Sequence, residues 1–403
     1  MTSCHGKLLE RIVYSRIYNF LEKNNLLINE QSGFRKHRRT ADNLFFLIQK
    51  VVESYNRKKK VCCLYFDISK AFDRVWHDGL IYKLIKIKLP PYLIFWIKSF
   101  LHSRYFIVNV NGHLSDQYPI KAGVPQGAVI SPLLFSIFIN DIPKRNKPNC
   151  QYSLLFADDL ATFFIFNKEG NLENTINKYL NEVEKWLFKW KMKVSVEKSC
   201  YMIFEKRTKS KINLDLKIYN NNLIREEKVK FLDITLDSKL TFSSMIDDLK
   251  KRCNSRLNII KYLSNKKWGL KPKTLGNLYK SLIGSILDYS FPCLNSFSET
   301  NLKKLQVIQN AAVRSILNLK YDIPSNIINH EAFNKLKLLT VSNRLFELSE
   351  RYVRAGLSHS IPLVVRLVEE YKEGFESRYI EYPTPLCNCY LTISSFFPEP
   401  SEI

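Results

Sequence analysis

No Cys-x-x-Cys pair and no Cys/His spacing suited to zinc occurs among the cysteines at positions 4, 62, 63, 150, 200, 253, 293, 387 and 389. That excludes a zinc module, and the odd count argues against a disulfide framework, so reduced, buried thiols are expected. Long apolar runs are also missing. Pro90–Phe100 and Val129–Phe138 are the apolar stretches, too short for the roughly 20 residues a membrane helix needs. Lys7, Glu10, Arg11 and Arg16 punctuate the apolar pattern behind Met1, which is not the uncharged core of a signal peptide. An intracellular location, nuclear or cytoplasmic, with no membrane partner is the expectation. There is no Gly-x-x-x-x-Gly-Lys-Ser/Thr loop and no Ser or Cys in a nucleophile elbow, which leaves P-loop ATPase and hydrolase readings without support. Internal repeats, low-complexity tracts and long heptads are likewise lacking.

Acidic residues are scarce beside basic ones: 38 Asp+Glu stand against 62 Lys+Arg, a formal charge of +24 over 403 residues. Such an imbalance favours a polyanionic partner, because lysine and arginine attract phosphate without regard to sequence. The basic residues form short clusters, Arg35 to Arg39, Arg57 to Lys60, Lys206 to Lys211, Lys250 to Arg252, and Lys303 with Lys304. Each cluster is either a phosphate contact or a solvated helix face. At about 150 residues per domain, the length predicts two to three domains.

Helical periodicity governs 7–22 and 41–56, and a β-branched and aromatic run, Val61 to Phe66, then ends at Asp67. This predicts a strand delivering a carboxylate. Helical patterns follow over 79–102, then a hairpin around Asn111-Gly112, and a Gly/Pro-rich turn Gly123-Val124-Pro125-Gln126-Gly127 that launches an apolar helix from Pro132 to about Ile139. The strand Ser153–Phe156 breaks at Ala157-Asp158-Asp159 and resumes as Leu160–Phe166. Leu172, Ile176, Leu180, Val183, Leu187 and Trp190 give a helix with one stripe on the sheet. Strands at Tyr201–Phe204 and Val229–Leu236 precede a helical module beyond about 240, striped by Leu302, Leu305, Ile308, Ala312 and Ile316. A Pro- and Glu-rich segment closes the chain.

Two adjacent carboxylates inside an apolar hairpin are costly unless they are solvated at a turn or hold a cation. Asp67 ends one apolar strand and Asp158-Asp159 interrupt another, and neighbouring strands would bring them to one sheet edge. Oxygen ligands there suit two magnesium ions binding an attacking hydroxyl and a triphosphate. On nucleic acid, such chemistry means polymerisation or strand cleavage.

Leu64-Tyr65-Phe66-Asp67-Ile68-Ser69-Lys70-Ala71-Phe72-Asp73, Gly123-Val124-Pro125-Gln126-Gly127 and Phe156-Ala157-Asp158-Asp159, in that order, resemble the reverse transcriptases of jockey-like non-LTR retrotransposons. The resemblance extends through Gln31-Ser32-Gly33-Phe34-Arg35-Lys36, Trp186 to Lys198, Val229 to Leu240 and Leu302 to Leu317, covering roughly 6–320. It implies an α+β right-hand polymerase: fingers and palm over 1–238, a helical thumb over 239–345, and a carboxy-terminal tail over 346–403. The implied activity is RNA-directed DNA polymerase, extending a DNA primer or cleaved target DNA along an RNA template with dNTPs and two Mg²⁺ ions, Mn²⁺ serving as a substitute.

By position, Asp67 and Asp158 resemble the family's metal ligands, with Asp159 beside them and the Ile68 carbonyl as a backbone ligand. Phe72 stands where an aromatic crowds the sugar 2′ position; the plain alternative is a core phenylalanine. Gly123 and Gly127 would admit template and incoming base, and Gln126 would offer an amide, unless the segment is simply a tight turn. Lys198 matches a lysine that could assist the leaving pyrophosphate, or is an ordinary surface lysine. Lys206, Arg207, Lys250 and Lys251 fit primer–template phosphates, while Arg35 either contacts nucleic acid or braces the fingers.

His37 and Arg39 stand where the family usually has Gly and Ser, Ala128 replaces Ser or Cys, and Asp233 replaces a glycine. The family's Arg-Pro-Ile stretch and upstream endonuclease domain have no counterpart here. An N-terminally truncated copy is therefore expected, with a catalytically inactive remnant that only binds nucleic acid as the alternative.

Overall fold

The structure, a computed structural model, describes residues 3–102, 104–144, 150–167, 170–206, 212–265 and 269–359, together with Val365 and Leu386. Helices α1 (Cys4–Lys23) and α2 (Thr40–Asn56) precede strand β1 (Lys60–Asp67) and helices α3 (His77–Lys86) and α4 (Pro91–Leu101). Four short strands come after them, β2 (Tyr105–Phe106), β3 (Asn109–Val110), β4 (His113–Leu114) and β5 (Tyr118–Pro119), then α5 (Ser131–Phe138). The hairpin β6 (Gln151–Phe156) and β7 (Asp159–Phe166) leads through α6 (Leu172–Lys189) to β8 (Cys200–Phe204). Small strands β9 (Lys217–Ile218), β10 (Asn221–Asn222), β11 (Ile224–Arg225), β12 (Lys228–Phe231) and β13 (Ile234–Asp237) come next. The rest is helical: α7 (Ser243–Leu263), α8 (Pro272–Tyr279), α9 (Ser285–Asp288), α10 (Glu299–Leu317), α11 (Ser325–Leu336) and α12 (Val341–His359).

The chain divides into two compact units. The first comprises Met1–Asn43, Val61–Ile203 and Thr208–Glu226; the second comprises Leu44–Lys60, Phe204–Arg207 and Glu227–Ile403. This α+β content is built on a five-stranded sheet of order β11-β8-β1-β7-β6, in which β6 and β7 pair antiparallel and β11 pairs parallel to β8. Central β1 is buried from Val61 through Phe66, as an unbroken apolar strand covered on both faces should be. In α6 the residues Leu172, Ile176, Tyr179, Leu180, Val183, Trp186 and Leu187 form one buried stripe, matching the spacing read from the sequence. Helix α5, buried along nearly its whole length, has no side chain of its own to cap it. Glu10 of α1 supplies that function: its Oε2 accepts the Val129 N–H at 2.6 Å and the Ile130 N–H at 3.4 Å, where a carboxylate satisfies otherwise orphaned amides.

In the second unit, Phe45 packs on Tyr352 and Phe291 with ring centroids 4.6 and 5.4 Å apart. Arg344 makes a bidentate pair with Asp288. Leu305, Ile308, Ala312, Val313 and Ile316 form the buried stripe of α10.

The helical patterns over 79–102 are two helices, separated where Pro90 forbids continuation. Three expectations need correction. Val229–Leu236 is a hairpin, β12 to β13, and not one strand, because Leu232 and Asp233 both take positive φ. Cys62, Cys63, Cys253 and Cys293 are buried free thiols and Cys200 is half-buried, but Cys4 and Cys150 are exposed; burial pushes the Cys200 and Cys253 thiols up to about 11. Cys387 and Cys389 lie outside the described residues. Helix α12 runs across the expected tail boundary at 346, and most positions beyond that helix lie outside the described residues. No described helix is long and apolar enough to cross a membrane.

Candidate active site

Asp67 ends β1 on a backbone fixed from one side. The Asp67 carbonyl accepts the Ser195 N–H at 2.8 Å, Ser69 N–H donates to the Lys193 carbonyl at 2.8 Å, and Ile68 bridges antiparallel to Val194. Asp67 N–H donates to Ser199 Oγ at 3.2 Å. Since successive backbone groups of an extended chain point to opposite sides, this pattern turns the Ile68 carbonyl away from the 193–195 segment. The same segment carries Lys198, whose Nζ lies 3.9 Å from Asp67 Oδ2; at 73% and 42% side-chain exposure the pair is solvated and contributes at most about 1 kcal/mol.

Asp158 occupies a two-residue turn closed by the Phe156–Asp159 pair. The first turn residue, Ala157, has φ +57°, a left-handed conformation that costs an alanine about 1–2 kcal/mol. Compensation comes from far away in the chain. Gln31, 1% exposed, accepts the Ala157 N–H on Oε1 at 3.0 Å and donates Nε2 to the Ala157 carbonyl at 3.1 Å. Its Oε1 also accepts the Gly33 N–H at 2.7 Å. Residues 30–32 run beside the end of β6: Leu155 N–H donates to the Glu30 carbonyl and Ser32 N–H to the Leu155 carbonyl, each at 2.9 Å. Asn43 reinforces the arrangement by donating to that Leu155 carbonyl at 2.9 Å.

Gly33 sits so close that a Cβ there would meet the Ala157 nitrogen at 2.2 Å. Its neighbour Phe34 packs edge-on against Phe72, with ring centroids 6.0 Å apart, and Phe72 stacks on Phe135 of α5 at 4.8 Å. One loop, 31–34, thus touches both the turn of Asp158 and, at Phe72, the segment that follows Asp67; β1, which ends at Asp67, and β7, which follows the turn of Asp158, are neighbours in the sheet, and both aspartates are half-buried. Asp159 is already in β7 and exposed. Among the described residues no three His, Cys, Asp or Glu side chains converge to hold a metal. Carboxylate and backbone carbonyl oxygens are the kind of donor magnesium takes, commonly one or two carboxylates with substrate phosphates completing its shell.

The loop after β5 packs on residues 72–77, the segment that follows Asp67. Gly123, at φ +93°, donates its N–H to the Val75 carbonyl at 2.8 Å, and Val124 N–H donates to the Phe72 carbonyl at 2.9 Å. A Cβ on Gly123 would lie 2.9 Å from the Asp73 carbonyl oxygen, so glycine is needed for both conformation and closeness. His77 Nε2 lies 2.8 Å from the Gly123 carbonyl oxygen, and Gln126 Nε2 donates to Asp73 Oδ1 at 3.2 Å. Gly127, at φ +89°, faces open space.

The basic candidates divide. Arg35, 10% exposed, is committed within the chain, paired bidentately with Glu22 and donating to the Ile28 carbonyl at 2.9 Å; of its two readings the bracing one fits. Lys206 donates to the Lys239 carbonyl at 3.0 Å. Lys250 and Lys251 lie on the exposed side of α7. Arg207 is outside the described residues. Gln31 and Gly33 carried no assigned role in the sequence; a glutamine two residues before a glycine is the signal, legible only once their partner at Ala157 is known.

Residues 1–236 match the family described as Reverse transcriptase (RNA-dependent DNA polymerase). The chain belongs to this family. It is 29% identical over 367 residues to the probable RNA-directed DNA polymerase from transposon BS of Drosophila melanogaster, and 29% over 369 residues to the RNA-directed DNA polymerase from mobile element jockey of the same species. Each alignment takes in 90% of this chain, which spans about two-fifths of the relatives' length (40% and 39%). Apo telomerase from Candida tropicalis overlaps 84% of the chain and 61% of its own at 15% identity and a TM-score of 0.43; the family assignment does not rest on this looser likeness.

Proposed function

We propose that the chain is the RNA-directed DNA polymerase of a non-LTR retrotransposon, extending a DNA primer or nicked target DNA along an RNA template with dNTPs. What supports this reading is the 31–34 loop, which bonds the turn carrying Asp158 through Gln31 and packs through Phe34 on Phe72 in the segment that follows Asp67. Asp67, Asp158 and the Ile68 carbonyl would hold Mg²⁺, with Mn²⁺ as a substitute, and Asp159 would act from alongside; two bound ions would supply charge stabilisation for nucleotidyl transfer. In a right-hand description, the first unit provides palm and fingers surfaces and the helices of the second a thumb. Phe72, stacked on Phe135 and leaning on Phe34, offers a rigid ring to crowd a ribose 2′-OH. Gly123 and Gly127 leave room for backbone approach, Gln126 an exposed amide, and Lys198 a cation beside Asp67 for the departing pyrophosphate. Lys206, Arg207, Lys250 and Lys251 would meet template or primer phosphates, giving binding that falls steeply with salt.

The test is incorporation of labelled dTTP on poly(rA)/oligo(dT) with Mg²⁺, beside Asp158→Ala. Extension by the parent is expected, with at least a 1000-fold loss in the variant, roughly 4 kcal/mol of transition-state stabilisation, and duplex affinity held within about twofold. Retained duplex binding without incorporation by the parent would overturn the enzymatic reading and leave a remnant that only binds nucleic acid.

A further inference from the structure

The β6–β7 turn presents an economy problem. A two-residue hairpin turn with positive φ at its first position ordinarily takes Gly, Asn or Asp there, yet this one has Ala157. A glycine would reach the same conformation without strain. The chain instead holds an alanine in place through a buried amide 126 positions away, satisfying both the N–H and the C=O of Ala157 with one side chain. The carbonyl that Gln31 holds belongs to the peptide joining Ala157 to Asp158, so the orientation of that peptide fixes where the Asp158 Cα stands. Gln31 itself has little freedom: its Oε1 also takes the Gly33 N–H, and Glu30 and Ser32 on either side are bonded to Leu155.

We infer that Gln31 is a positioning residue for the Asp158 carboxylate, setting the metal-binding geometry through the Ala157–Asp158 peptide and not merely stabilising the hairpin. The inference deepens the polymerase reading above and rests on it. Sites of this kind need their ligating groups held within about 0.5 Å by surrounding hydrogen bonds, and a misplacement of about 1 Å can cost 100-fold in rate. A turn relaxed by glycine would be stable but free to vary; a strained turn locked by an external amide has one orientation. Gln31 also bonds Gly33, and the next residue, Phe34, leans on Phe72, so on the polymerase reading the metal and sugar positions share one loop as support.

The experiment compares the parent with Gln31→Met, Gln31→Glu and the double variant Gln31→Met/Ala157→Gly. Four quantities are read: thermal stability, affinity for poly(rA)/oligo(dT), Mn²⁺ binding to the protein–duplex complex by electron paramagnetic resonance, and dTTP incorporation. Gln31→Met is expected to weaken Mn²⁺ binding and slow incorporation by about tenfold or more each, with duplex affinity within about twofold, because the carboxylate is displaced. Adding Ala157→Gly should restore the melting temperature but neither Mn²⁺ binding nor rate. Gln31→Glu keeps the acceptor for Ala157 and Gly33 but sets a carboxylate oxygen against the Ala157 carbonyl where the donor stood; it should displace the same peptide and show the same Mn²⁺ deficit, a second variant for the case in which Gln31→Met does not fold. Mn²⁺ affinity and rate within twofold of the parent in the folded single variants, or their full recovery along with stability in the double variant, would overturn the inference and make Gln31 structural only. Failure of the parent itself to bind Mn²⁺ and to incorporate dTTP is a separate result: it removes the polymerase reading, and this inference with it.

Discussion

Two hairpins in the first unit have the same loop length and opposite origins. In β3–β4 the turn is Asn111-Gly112, with φ of +51° and +88°, and Asn109 Oδ1 accepts the Gly112 N–H at 3.1 Å. Every residue of its four-residue ladder is exposed, so the local sequence specifies the turn by itself. In β6–β7 the turn is Ala157-Asp158, with no glycine and no local cap, and its conformation is imposed by Gln31 and Gly33. A turn encoded locally can be exposed and carry no chemistry. A turn imposed from a distance is where, on the polymerase reading proposed above, the chain places a carboxylate whose position matters.

The largest effect that would break this comparison is at Gly33. Its φ is ordinary, and its requirement for glycine is steric, since a Cβ would press on the Ala157 backbone at 2.2 and 3.0 Å. Gly33→Ala is expected to destabilise by about 1–3 kcal/mol, as overpacking does, and to cut dTTP incorporation at least 100-fold through the displaced turn. Melting temperature and single-turnover extension check both. A variant with parental rate would mean the turn yields without consequence, and the contrast between the hairpins would lose its functional half.

Gly112→Ala probes the other hairpin. No atom lies within 4 Å of the added Cβ, so its cost is conformational alone, about 1–2 kcal/mol for a non-glycine residue at positive φ. Incorporation on poly(rA)/oligo(dT) should stay within twofold, measured beside the melting curve. A larger loss of activity than of stability would place chemistry in the exposed hairpin after all.

The same distinction explains what was legible in the sequence. Continuous apolar β1, the stripe of α6 and the Asn-Gly turn were readable because each is decided by neighbours in sequence. Asp67 and Asp158 were readable as carboxylates ending apolar strands. The roles of Gln31 and Gly33 were not, because their partner is Ala157, far along the chain. For Arg35 the sequence left a nucleic-acid contact and a bracing role both open, and the Glu22 pairing shows where its donors go. The break at Leu232-Asp233 was hidden for a related reason: no glycine marks it. Yet His37 and Asp233, which stand at positions where the resembled family carries glycine, have φ of +62° and +60°, so the backbone demand outlasted the residue that ordinarily meets it.

Asp233 therefore offers the smallest and sharpest test, a third hairpin, in the second unit, whose turn is also not encoded by glycine. Leu232 and Asp233 both lie at positive φ, the Leu232 carbonyl accepts the Tyr289 hydroxyl at 2.9 Å, and Asp233 pairs with Lys230 at 2.6 Å on the surface. Asp233→Gly relieves the left-handed aspartate, which that residue type tolerates better than most, and gives up an exposed ion pair contributing up to about 1 kcal/mol, a loss that salt diminishes. A net gain of about 0.5 kcal/mol is expected at high salt and less at low salt, with incorporation unchanged, because this turn holds no expected metal ligand. Melting curves at two ionic strengths read the sign. A loss of stability at both would show that Asp233 is kept for its side chain's contacts and not merely tolerated, and the division between locally encoded and imposed turns would then have to be drawn by packing and not by function.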